Sequence, residues 1–108
     1  MSTAPKAQAA VQDPVKVDSK HYKVDFENDR VRVLRVHYGP REKSVMHHHP
    51  DSVAVFQNDI HCRFTMPDGK TEDHRLHAGQ TMHMPAGSHL PENLSDQPID
   101  VILVELKR

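Results

Sequence analysis

Tryptophan is absent, cysteine occurs once, at Cys62, and only five of the 108 residues are aromatic. The lone cysteine rules out an internal disulfide framework and every cysteine-based zinc motif. So few aromatics leave little for a base-stacking platform. Neither sign of charge is in excess, with 14 Lys and Arg against 15 Asp and Glu. There is thus no basic stripe for a nucleic-acid backbone and no acidic tail for a basic partner. No apolar run approaches the roughly 20 residues of a membrane helix. The N-terminus lacks the apolar core of a signal peptide, so a cytoplasmic location is expected, or a periplasmic one if an upstream signal peptide has been removed. The Walker loop, the dinucleotide-binding glycine fingerprint, the G-x-S-x-G elbow and the H-E-x-x-H helix are all missing.

What the chain does have is valine and histidine. Valine supplies 12 of the 24 Val, Ile, Leu and Phe residues, a bias towards strands. Val31 to Tyr38 forms a β-branched run that stops at Gly39-Pro40. Val45 to His49, Val53 to Phe56 and Thr81 to Met84 are shorter segments of the same kind. Ile60 to Met66 and Thr71 to Leu76 flank Pro67-Asp68-Gly69-Lys70, where Pro presets φ and Gly accepts a positive one, so these segments are expected to pair as a hairpin. Ile99 to Leu106 closes the chain, with Glu105 among the residues that break its alternation. No window shows a 3.6-residue period. Short strands punctuated by turns every eight to twelve residues predict an all-β sandwich or barrel. Residues 1–18, rich in Ala, Pro, Gln and Lys, read as a flexible arm, leaving 19–108 as a single domain.

Ten histidines are a large excess, and His47, His48 and His49 are consecutive. In a strand, residues i and i+2 share a face, so His47 and His49 point together and His48 points away. His89, just after the tight Pro85-Ala86-Gly87 turn, is the best third partner. Three imidazoles converging on one point suit a transition metal. For Asp51 and Glu92 the expected part is that of a carboxylate supporting a ligand imidazole, and His83, Gln57 and Glu92 are candidates for orienting a substrate or moving protons. His21, His37, His61, His74 and His77 are expected on solvated faces, and Cys62 in the core.

The stretch Gly79-x5-Pro85-x-Gly87-x-His89-x3-Asn93 closely resembles the second motif of the cupins, and Gly39 through His47-x-His49 resembles the first. The second motif is one residue shorter than usual before its histidine. Seven residues separate Gly39 from His47, and Val53 stands where the first motif carries a metal-binding glutamate. The wording of the chain is similar to that of small bacterial single-domain cupins, some of them associated with β-alanine degradation. The resemblance implies a double-stranded β-helix of two antiparallel sheets with a cavity between them. It implies His47, His49 and His89 as ligands of a divalent metal (Fe, Zn, Ni or Cu), a small-molecule substrate or ligand, and a homodimer. Three functions fit that frame: a metal-dependent dioxygenase or isomerase, a non-catalytic module holding a metabolite or metal, and a structural partner protein.

Overall fold

The computed structural model describes residues 12–107. Apart from one helical turn, α1 (Pro14–Val17), its regular elements are strands: β1 (Tyr22–Glu27), β2 (Val31–Tyr38), β3 (His47–His49), β4 (Ser52–Phe56), β5 (Ile60–Thr65), β6 (Thr71–Leu76), β7 (Thr81–Met84), β8 (Gly87–Asn93) and β9 (Ile99–Leu106). They form a five-stranded sheet, β1-β2-β9-β4-β7, and a four-stranded sheet, β3-β8-β5-β6. All pairings are antiparallel. The expected double-stranded β-helix is therefore present, and the Ile60–Met66 and Thr71–Leu76 hairpin forms about a turn whose Gly69 has φ +88°. Among the described residues no helix is long and apolar enough to cross a membrane.

The core lies between the sheets. Leu34, Val36 and Tyr38 of β2, Ala54 and Phe56 of β4, and Ile99, Val101 and Leu103 of β9 face Ile60, Cys62 and Leu76 from the other sheet. Each set follows the period-2 alternation that buries one face of a strand. Two short crossings carry the chain between sheets at the same end of the barrel: Pro50-Asp51 links β3 to β4, and Pro85-Ala86 links β7 to β8. Proline suits both points, since neither needs a ladder N–H. They are tied together where the Ala86 amide donates to Asp51 Oδ1 at 2.9 Å.

The first eleven residues of the expected arm lie outside the described residues. The remainder, 12–18, is packed. Asp13 caps α1 by accepting from the Val15 amide at 3.0 Å, Pro14 is buried, and the Gln12 carbonyl accepts from the His48 amide at 2.7 Å, on the free edge of β3. Low apolar content gave little hint of this, because the segment is held by polar contacts together with only two apolar residues, the buried Pro14 and Val15 against the core.

Candidate metal centre

Strand register assembles the histidines. In the β3–β8 ladder His47 lies directly opposite His89, and His49 opposite Gly87. His47 and His49 share the inward face of β3, and His48 points away to Ser88 Oγ at 3.2 Å. The three inward residues are buried, and one ligating nitrogen from each lies within 4.8 Å of the other two. Ring centroids are 4.8, 4.9 and 5.2 Å apart, with planes 85–89° from one another.

Hydrogen bonds select the tautomers. His49 Nδ1 donates to Glu105 Oε2 at 2.7 Å, and His47 Nδ1 donates to the Val45 carbonyl at 2.9 Å with Ser44 Oγ 3.2 Å away. A proton held on Nδ1 leaves Nε2 with its lone pair. The Nε2 atoms of His47 and His89 are buried with no hydrogen-bond partner. Buried polar atoms are almost always satisfied, so two orphans facing the same spot call for a third party. Burial, helped by the neighbouring His49, pushes His47 down to about 4, and burial with His49 and His47 beside it pushes His89 down to about 2. Both are neutral at pH 7, as metal ligation requires.

The carboxylate behind the trio is Glu105, only 2% exposed. It reaches His49 because β9 pairs with β4, placing Glu105 beside Ser52. Its other oxygen accepts from Arg32 Nε at 2.8 Å, and Arg32 in turn makes a two-pronged pair with Asp13 at 2.9 and 3.0 Å. Burial opposes ionisation of Glu105, but the bonds from His49 and Arg32 outweigh it and hold the group below the usual carboxylate value. A parallel support runs behind His47: Ser44 Oγ donates to Asp18, whose carboxylate accepts from His21 Nδ1 at 2.8 Å, while His21 Nε2 meets Glu42 at 3.0 Å. His21, expected on a solvated face, is thus buried between two carboxylates and stacked on Tyr38 at 4.2 Å.

The other sequence candidates lie as follows. Val53 points outward from β4, because the Pro50-Asp51 crossing resets the strand parity that would align it with His49. Asp51 sits on that crossing, 4.0 Å from His83 Nε2, rather than behind the trio. Gln57 is exposed beyond the end of β4, with its amide donating to the Asp100 carbonyl. Glu92 alternates with the buried His89, Pro91 and Asn93 and lies opposite Arg63. His83 is 63% exposed but lies on the wall of an open pocket of about 400 Å³ whose floor includes His49 and His89. The β4–β7 register sets His83 opposite the outward Val53, so it stands at the outer edge of that pocket, whereas Glu92 lines a smaller cavity of about 60 Å³ together with His49 and His89. Asn93 serves the structure instead. Its amide donates to the Gly39 and Gln97 carbonyls at 3.0 and 2.7 Å, pinning the loop that precedes the histidines.

Glu105 and Arg32 had a sequence signal. Glu105 shares strand parity with Ile99, Val101 and Leu103, and Arg32 with Leu34, Val36 and Tyr38. Opposite charges at core positions of two strands imply a buried pair. What they support follows only from the sheet order.

No protein-family model matches the chain, and no curated protein does. Solved structures do. A cupin domain protein from Bordetella pertussis Tohama I is 26% identical, covers 81% of this chain and 92% of its own, and superposes with a TM-score of 0.75. An RmlC-like cupin family protein with a double-stranded β-helix fold from Methanocaldococcus jannaschii is 16% identical over 83% of this chain and 84% of its own, TM-score 0.63. The polyketide cyclase RemF from Streptomyces resistomycificus is 16% identical over 81% of this chain and 64% of its own, TM-score 0.60. None of the three bears on β-alanine degradation. Two crossed antiparallel sheets, the two histidine-bearing motifs in order and these neighbours converge on one assignment: the chain belongs to the cupin superfamily.

Proposed function

We propose that His47, His49 and His89 hold a divalent transition metal and that the protein acts there on a small metabolite, as a dioxygenase or isomerase does. The observation that carries this is the pair of buried, unpartnered Nε2 atoms on His47 and His89. Three neutral nitrogen donors suit Fe, Zn, Ni or Cu. With no fourth protein ligand in the cluster among the described residues, positions stay open as in catalytic rather than structural sites. Such an ion supplies Lewis acidity, or dioxygen chemistry if it is redox-active. The chain's own part is to fix the ligand tautomers through Glu105 and Val45 and to admit a molecule through the open pocket whose floor includes His49 and His89.

Elemental analysis tests the reading. Near-stoichiometric metal that disappears in both His47→Ala and His89→Ala is the expected result. Protein that stays metal-free after reconstitution with each of the four metals refutes it and leaves the non-catalytic binding module.

The outward face of the five-stranded sheet favours the homodimer. Phe26 lies opposite Val33, Val33 opposite Val104, and Val104 opposite Val53, giving an apolar row across four strands. Phe26 is 53% exposed. An antiparallel sheet normally turns a polar face to water, and an identical apolar face on a second copy would cover this one. Sedimentation of the wild type as a dimer and of Phe26→Lys as a monomer is expected; a monomeric wild type at high micromolar concentration overturns it.

A further inference from the structure

The open pocket over the trio tells more about the ligand than the histidines do. Its wall is built by Phe64, Met66, Met82 and Met84, and its floor by His49 and His89. Met82 and Met84 come from the inward face of β7, Phe64 from β5, and Met66 from the turn that follows it. Three of the five methionines in the chain thus line one cavity. Thioether side chains are flexible and polarisable, and they mould to apolar shapes.

Charge is as informative as shape. Among the described residues no lysine or arginine lines the pocket. The ionisable groups at its rim have opposite partners: His74 lies 3.3 Å from Glu72, and His83 4.0 Å from Asp51. A carboxylate or phosphate on the outer part of a ligand would find no counter-charge there and would face Glu72. The volume, about 400 Å³, lies within the ordinary range for small-molecule sites.

We propose that this pocket selects an uncharged, largely apolar small molecule that presents a single donor group inward to the histidines and lays its remaining length along the methionine wall. Ligands that carry a carboxylate or phosphate at their outer end, dicarboxylates among them, are excluded as substrates. The proposal rests on the metal reading only for the destination of the donor group. The wall and its selectivity exist without metal.

The test therefore uses metal-free full-length protein with 13C-labelled methionine methyl groups, assigned by single Met→Leu substitutions. Straight-chain alcohols from butan-1-ol to hexan-1-ol are titrated, followed by 6-hydroxyhexanoate. The expected result is that the Met66, Met82 and Met84 methyls shift together while Met46, outside the pocket, stays in place. Affinity should rise up to about fourfold per added methylene, and 6-hydroxyhexanoate should bind at least about tenfold more weakly than hexan-1-ol. Met82→Gln should weaken hexan-1-ol binding severalfold with the fold intact by circular dichroism. Methyls that do not move, affinity independent of chain length, or equal binding of the carboxylate each overturn the proposal. Absence of metal is read separately, by elemental analysis, so failure of the metal centre and failure of the pocket are distinct results.

Discussion

Glu105→Gln is the sharpest probe of the centre. Glutamine has the same shape but carries an NH2 in place of one carboxylate oxygen. Glu105 now accepts from two donors, His49 Nδ1 at 2.7 Å and Arg32 Nε at 2.8 Å. A glutamine can accept from only one of them with its single carbonyl oxygen. If the oxygen faces Arg32, the NH2 faces His49 and drives its proton from Nδ1 to Nε2, the tautomer that cannot ligate. Losing such a carboxylate partner costs about 10- to 100-fold in metal affinity, or about 1.4–2.7 kcal/mol. Where metal is present at about a thousand times Kd, its stabilisation of about 4 kcal/mol should drop to about 1.4 kcal/mol for a 100-fold loss. At roughly 4–8 °C per kcal/mol for a domain near this size, the metal-induced rise in Tm should shrink by about 10–20 °C. Chelator competition measures the affinity directly, and melting with and without metal separates this effect from any loss of intrinsic stability. Unchanged metal affinity in Glu105→Gln would refute the argument that this carboxylate sets the His49 tautomer.

His89→Leu should abolish metal binding yet leave the metal-free protein as stable as the wild type or more so, because it removes a buried nitrogen without a partner, whose desolvation costs about 1–3 kcal/mol; urea unfolding of the metal-free forms checks this, and a large loss of stability would contradict it. In metal-free protein His47 is held down at about 4 against an unfolded value near 6.5, so the unfolded chain binds more protons between those values. The stability His47 contributes is therefore full above pH 6.5 and is lost as pH falls towards 4, by roughly 3 kcal/mol, and urea midpoints across that window that do not fall would contradict it. Asp13→Ala removes both a helix cap and the two-pronged partner of Arg32, so a loss of about 1–3 kcal/mol in chemical denaturation is expected, with metal affinity reduced as Glu105 loses its clamp.

Much of the centre could be read from the chain, for a physical reason. His47 and His49 share a face by the period of a strand, and His89 follows a turn whose proline and glycine force a change of direction. These are local rules. The supports of the trio are not local: Glu105 meets His49 through β9 pairing with β4, and Asp18 meets Ser44 because residues 13–18 fold back onto the barrel. Parity arguments carried through Pro50-Asp51 failed for Val53 and Asp51, since the chain changes sheets there and the alternation restarts at the buried Ser52. The placement of His21 eluded composition altogether, because it is held by the nearby Asp18 together with Glu42 and the Tyr38 ring, which only the folded sheet brings to it.

Cys62 has a use of its own. Its thiol is buried in the wall of a small apolar cavity of about 60 Å³ inside the barrel, and burial pushes it up to about 12. While the sheets stay closed it is neither ionised at neutral pH nor open to a reagent. A thiol-reactive dye should therefore label this protein only during the moments when the two sheets part. The rate of modification then becomes a clock for opening of the native barrel. Slowing of that clock by bound metal, or by a ligand in the methionine-lined pocket, would report how far each one locks the two sheets together.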